Sequence, residues 1–315
     1  MLEVDLLRFE RGGEAERRAV VDGVMRSLAT GFVYSSSDLP EALLDEAYGM
    51  LEAFFSLPSP TTQSFRVAGS SGQTGYTGPL VERAEASDLA DWKEMLNWSL
   101  PLASGHPLRR RFPTAYPEQR LPEAAVPGIT AVLERFHRLL LDLQRRFLRV
   151  IALGMGCHEA FFDGIVGEGP TLTRAIHYPP MAEAPSEGHL WAAPHGDINL
   201  ITALPRATAP GLEVLVEGQW LAARPPRGRV IINAGLMLER LSNGQVPAGW
   251  HRVVAAADQP GGRLSVVQFC HPTPWTVLAP VPSCCGPGSP PRWPGMLACD
   301  ALEEVLYRIG LLDPG

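Results

Sequence analysis

In Pro194-His195-Gly196-Asp197 an imidazole and a carboxylate stand two residues apart. On extended backbone, residues i and i+2 project to the same face, so both side chains can reach one ion. Chance alone often places a His and an Asp at this spacing, and a third ligand is needed before the pair carries weight. His251, on a later predicted strand, supplies it. Two imidazoles and one carboxylate on one face leave coordination positions open, the arrangement in which iron(II) takes a bidentate keto acid and oxygen side by side. Zinc held by three protein ligands is the competing reading, although the sequence has no His-Glu-x-x-His motif.

Arg263 and Ser265 follow on the next predicted strand. A guanidinium grips a carboxylate through two parallel charge-assisted hydrogen bonds. Ser265, two residues on, faces the same way and can add a hydroxyl donor. The pair could hold the distal carboxylate of 2-oxoglutarate away from the metal. The plain alternative is a surface arginine at a strand end, and a zinc hydrolase on a cupin-like barrel would leave both residues without a role.

The elements that must position these residues change character along the chain. Glu14 to Thr30 has apolar residues at helical spacing, Gly31-Phe32-Val33-Tyr34 reads as a short strand, and Leu39 to Phe55 predicts a helix starting at Pro40 and stopping before Pro58 and Pro60. Gly, Ser and Thr between Ser64 and Pro79 predict loop and short strands. Gly128 to Gly154 predicts a long helix with Leu133, Phe136, Leu139, Leu140, Leu143, Phe147 and Ile151 on its buried side and Arg135, Arg138, Arg145 and Arg146 on a solvated one. Beyond Pro170 come short β-type runs at Leu172 to Tyr178, Leu200 to Leu204, Leu212 to Val216, Arg229 to Asn233, Trp250 to Ala256 and Leu264 to Phe269. Strands at this spacing with no helices between them predict a sandwich or jelly roll. A closing helix is expected over Ala301 to Leu312.

Composition narrows the function classes. A net charge of -7, with no long basic run, argues against nucleic acid as a partner. No apolar stretch approaches the ~20 residues needed to span a bilayer, and the N-terminus lacks the features of a secretory signal. The expectation is a cytoplasmic protein that acts on a small-molecule substrate without engaging a membrane. Five cysteines, an odd number, argue against a disulfide framework.

Taken together, these segments resemble the isopenicillin N synthase-like branch of the iron(II)/2-oxoglutarate-dependent oxygenases. The likeness runs through Arg174 to Pro180, Pro194 to Asp197, Gly211 to Val214, Ile232 to Gly235, Leu238 to Gly244, Trp250 to Val254 and Arg263 to Val266. It extends N-terminally through Gly31-Phe32-Val33, Phe54 to Pro58, Gly75-Tyr76 and Asp91-Trp92-Lys93-Glu94. The resemblance implies a mixed α/β fold with a mainly β core, a distorted double-stranded β-helix (a cupin-like jelly roll) with packed helices. Residues 1–105 would form an N-terminal helical and mixed region, and residues 106–315 the catalytic core with its long helix and C-terminal helix, together one structural unit. It implies Fe(II) on His195, Asp197 and His251, 2-oxoglutarate on Arg263 and Ser265 with Tyr178 beside it, and O2 as oxidant.

The substrate pocket is expected to draw on Tyr76, Asn97, His177, Asn199, Gln268 and Phe269, with Arg83 added for an anionic substrate. Ile198-Asn199 replaces the aromatic-glycine pair that follows the metal motif in many relatives, a departure that bears on substrate. The reaction implied is oxidation of a small amino-acid-like or specialised-metabolite substrate, by hydroxylation, desaturation or ring formation, with release of succinate and CO2. Two alternatives stay open: an oxidase of the same fold that needs no keto acid, and a jelly-roll protein that binds ligands without catalysis.

Overall fold

The computed structural model describes residues 1–70, 72–83, 87–186, 188–256 and 259–308. The N-terminal part holds β1 (Glu3–Val4), α1 (Leu6–Arg11), α2 (Glu14–Leu28), β2 (Phe32–Ser36), α3 (Glu41–Phe55), α4 (Ser59–Gln63), β3 (Gly75–Thr77), β4 (Glu94–Trp98) and α5 (Pro107–Arg111). The long helix α6 (Ile129–Gly154) and α7 (Asp163–Val166) lead into β5 (Leu172–Tyr178), β6 (Ala192–His195), β7 (Ile201–Ala207), β8 (Leu212–Val216), β9 (Gln219–Ala222) and β10 (Arg229–Ala234). Helix α8 (Leu236–Leu241), β11 (His251–Val253), β12 (Arg263–Cys270) and α9 (Ala298–Arg308) complete the core elements.

The large sheet has the order β1-β2-β10-β7-β12-β5-β4-β3, and a smaller sheet the order β6-β11-β8-β9. Pairing is antiparallel except between β1 and β2. The two sheets face each other across an apolar layer that includes Phe32, Ile176, Trp191, Val214, Ile231 and Val253. This is the expected distorted jelly roll with packed helices. Strands of the N-terminal part belong to the same large sheet: β4 pairs with β5, and β2 with β10.

Helix α6 covers the outer face of the large sheet because its apolar stripe (Leu133, Phe136, Leu140, Leu143, Phe147, Ile151) repeats at helical spacing and is wholly buried. Polar ties fix its depth: Trp98 Nε1 donates to the Leu133 carbonyl at 3.1 Å, and Gln144 Nε2 to Gln268 Oε1 at 2.7 Å. Its basic side is less solvated than the sequence predicts, since Arg146 is held by Glu10, Asp38 and Asp142. The closing helix starts three residues earlier than expected, at Ala298, and the end of the predicted span lies outside the described residues. Among the described residues, no helix is long and apolar enough to cross a membrane.

Candidate active site

Strand pairing brings the two histidines together. β11 runs antiparallel to β6 with His251 directly opposite His195, which sets their ring centroids 4.3 Å apart. Asp197 sits just past the end of β6, and its Oδ1 lies 3.9 Å from Nε2 of each histidine. One potential ligand atom from each of the three residues lies within 4.8 Å of the others.

Hydrogen bonds decide which atoms face inward. His195 Nδ1 lies 2.8 Å from the Ala193 carbonyl, and His251 Nδ1 lies 3.0 Å from that of Gly249. A carbonyl only accepts, so Nδ1 carries the hydrogen in each ring and Nε2 keeps its lone pair for a metal. Asp197 Oδ2 accepts from Thr202 Oγ1 at 2.6 Å and from Asn233 Nδ2 at 2.8 Å, leaving Oδ1 toward the imidazoles. Burial and the neighbouring His251 push the His195 imidazole down to about 4. For Asp197, burial alone would raise the carboxyl, but the two imidazoles and the Thr202 and Asn233 hydrogen bonds outweigh it and hold the group below its ordinary range. Two neutral imidazole nitrogens and one carboxylate oxygen are a donor set that fits Fe(II).

The loop carrying Asp197 is pinned by the start of α8. Backbone N–H groups of Gly235, Leu236 and Met237 donate to the carbonyls of Leu200, Asp197 and Ile198 at 2.8 to 3.0 Å, which satisfies donors that a helix start leaves open. Gly235 is needed for this approach, because a Cβ there would come within 2.0 Å of the Asn199 carbonyl oxygen.

The triad opens on a cavity of about 680 Å³ between the sheets. Alternation along β5 and β12 determines what lines it: Leu172, Arg174, Ile176 and Tyr178 from one strand, and Arg263, Ser265, Val267 and Phe269 from the other. The register opposes Arg263 to Tyr178 and Ser265 to Ile176. Arg263 is 2% exposed; its Nη1 donates to Ser265 Oγ at 2.8 Å, its Nε donates to the Ala209 carbonyl, and the guanidinium lies over the Tyr178 ring.

Three buried cations line this cavity, and they differ in partners. Lys93 Nζ binds Glu82 at 2.7 Å and Asp91 at 2.8 Å. Arg174 binds Glu82 at 3.1 Å and Asn97 Oδ1 at 2.7 Å. Arg263 pairs with no carboxylate among the described residues.

The sequence-predicted pocket residues divide. Phe269 and Asn199 line the cavity, although the Asn199 amide is spent within its loop, donating to the Ile201 carbonyl and to Thr202. Exposed Arg83 also lines it. Tyr76, Asn97, His177 and Gln268 are absent from the wall. Tyr76 and His177 face the helix layer, where both hydrogen-bond Glu94, at 2.5 and 2.7 Å, and His177 stacks on Phe55. Asn97 is fully buried beneath Arg174, and Gln268 bonds the His137 carbonyl and Thr173 on the outer face. Sequence reasoning did not assign Thr202, Asn233, Glu82, Lys93, Arg174 or His271 to the site. Only Arg174 carried a usable signal, since it shares strand parity with Tyr178.

Residues 170–272 match the family model described as the 2OG-Fe(II) oxygenase superfamily, and residues 4–123 match the model described as the non-haem dioxygenase in morphine synthesis N-terminal region. The chain is 27% identical over 294 residues to the mugineic-acid 3-dioxygenase of Hordeum vulgare, covering 93% of this chain and 80% of that one. The crystal structure of a full-length Neurospora crassa protein in complex with alpha-KG and thymine superposes with a TM-score of 0.85 at 23% identity over 98% of this chain and 96% of that one, a likeness of fold. A Caulobacter crescentus protein assigned to the 2OG-Fe(II) oxygenase family superposes with a TM-score of 0.84 at 31% identity, with 98% of each chain covered. With a jelly roll, a donor set suited to Fe(II) and this similarity along its whole length, the chain belongs to the 2OG-Fe(II) oxygenase superfamily and is an enzyme that uses Fe(II), 2-oxoglutarate and O2.

Proposed function

We propose that His195, Asp197 and His251 hold the iron, that Arg263, Ser265 and Tyr178 hold 2-oxoglutarate, and that the remaining cavity takes a small specialised metabolite or amino-acid-like substrate for oxidation. The observation that carries this reading is the buried Arg263 guanidinium, which has no carboxylate partner among the described residues. A buried charge left uncompensated is costly, and the two other buried cations of the same wall already have their carboxylates. The distal carboxylate of the keto acid supplies the missing charge, with Ser265 Oγ as a further hydrogen-bonding group.

When bound, iron, keto acid and oxygen supply the oxidising power, with succinate and CO2 as co-products. The chain's own residues do the positioning. Nδ1 hydrogen bonds fix both imidazole planes, Thr202 and Asn233 fix the carboxylate, and the apolar layer between the sheets limits water around the reacting carbon. The similarity to a protein named for mugineic acid and to one crystallised in complex with thymine supports a small-molecule substrate.

The test is anaerobic titration of metal-free protein with Fe(II) and then 2-oxoglutarate, in wild type and Arg263→Ala. The expected result is a visible charge-transfer band that needs on the order of 100-fold more keto acid in the variant, as for loss of a buried charge partner. Iron binding without a band would favour the oxidase that draws all its electrons from substrate. Failure to bind iron would overturn the assignment of the triad.

A further inference from the structure

His271 follows the last residue of β12 and lines the cavity onto which the triad opens. It is 7% exposed, and its ring makes no hydrogen bond among the described residues. Other imidazoles of the fold behave differently. His137 shares a 2.8 Å hydrogen bond with Thr173, and the two triad histidines are tied to carbonyls through Nδ1. The His271 ring nitrogens are not among the fully buried atoms that lack a partner, so they are reachable from the cavity, where a ligand can supply the hydrogen bonds that the protein does not.

The backbone holds His271 firmly. Gly169 lies so close that a Cβ there would come within 2.0 Å of the His271 carbonyl oxygen, and the Cys270 carbonyl accepts from Leu200 N, in the loop that carries Asp197, at 3.0 Å. The residue is thus fixed next to the metal loop with an unused donor and an unused acceptor. A neutral imidazole offers one of each.

We propose that His271 is a specificity-determining residue that hydrogen-bonds an uncharged polar group of the organic substrate, such as an amide, a hydroxyl or a ring N–H. The inference rests on the reading of this cavity as the substrate site. Leu172, Phe269, Val305 and Leu306 line the same cavity and suit an apolar frame. An uncharged group follows from the charge accounting of the wall. Of the cations buried in the wall, Arg263 is assigned to the keto acid and Lys93 and Arg174 are held by Glu82 and Asp91, while the other lining arginines, Arg83 and Arg308, are exposed, so a carboxylate buried beside His271 would meet no free buried cation. An ammonium would need a free carboxylate, and Glu82 and Asp91 are equally engaged.

The test uses benzamide, phenol, benzoate and toluene as probes on wild type, His271→Phe and His271→Gln. Phe keeps a planar ring and removes the hydrogen bond, whereas Gln restores a donor and an acceptor. Binding is read from perturbation of the anaerobic Fe(II)-2-oxoglutarate band and, separately, from the melting temperature of the metal-free protein. Benzamide and phenol should bind wild type, weaken about tenfold in His271→Phe, as for one buried hydrogen bond, and recover in His271→Gln. Toluene should bind all three alike, and benzoate, compared with 2-oxoglutarate present so that Arg263 is occupied, less well than benzamide. Equal benzamide affinity in wild type and His271→Phe, a preference for benzoate, or no probe binding to wild type would overturn the proposal. If the band never forms but melting temperatures follow the expected order, the co-substrate reading fails and the assignment of His271 stands.

Discussion

Thr202 Oγ1 donates to Oδ2 of Asp197 at 2.6 Å, and this bond, together with that from Asn233, fixes which carboxylate oxygen faces the two histidines. Thr202→Val keeps the shape of the side chain and deletes the donor. Iron(II) affinity should fall about 10- to 100-fold, the usual cost of losing a group that orients a metal ligand. Equilibrium competition with a chromophoric chelator would measure it.

Gly235 is where α8 meets the metal loop. In Gly235→Ala the new Cβ would lie within 2.0 Å of the Asn199 carbonyl oxygen and 3.0 Å of the Asp197 carbonyl oxygen, so the loop must shift. Both iron affinity and melting temperature should drop. Unchanged iron affinity would show that the loop can retreat without moving Asp197.

Arg263→Lys retains the charge and loses the planar fork. Two parallel hydrogen bonds to a carboxylate become a point contact, and the 2-oxoglutarate KM should rise by about tenfold or more while iron affinity is unaffected. Steady-state succinate formation, paired with an iron titration, separates the two effects.

Glu82 links Lys93 and Arg174. Burial alone would raise its carboxyl, but the two cations outweigh burial and hold it far below 4.5. A depressed carboxyl contributes stability that is fully present above the unfolded value and is lost as pH falls toward the folded one. Glu82→Gln should therefore cost roughly 3 kcal/mol near neutrality, with the gap from wild type narrowing below about pH 4.5. Urea unfolding across that range would check both the size and the direction.

Tyr76 and His177 share Glu94 on the side of the sheet away from the cavity. Tyr76→Phe should lower stability by about 1 kcal/mol, the value of one partly buried hydrogen bond, and leave iron and keto-acid affinities where they are. A changed keto-acid affinity would mean that the two faces of the sheet communicate.

The sequence alone determined a large part of this protein. Side-chain alternation in Pro194-His195-Gly196-Asp197 and in Arg263-Leu264-Ser265, and the 3.6-residue repeat of α6, are local properties of the chain. The same alternation bore on His177 and Tyr178, neighbours in one regular strand that cannot both face the cavity, and the structure places Tyr178 there. Distances between strands distant in the chain were not legible. The approach of Glu82 to Lys93 and Arg174, the bonding of Oδ2 of Asp197 by Thr202 and Asn233, and the burial of His271 without a partner depend on which strands pair and in what register. Residue types set what each group can do, but a charge or a donor becomes available to a ligand only when the fold leaves it unmatched, and that balance is struck across the whole structure.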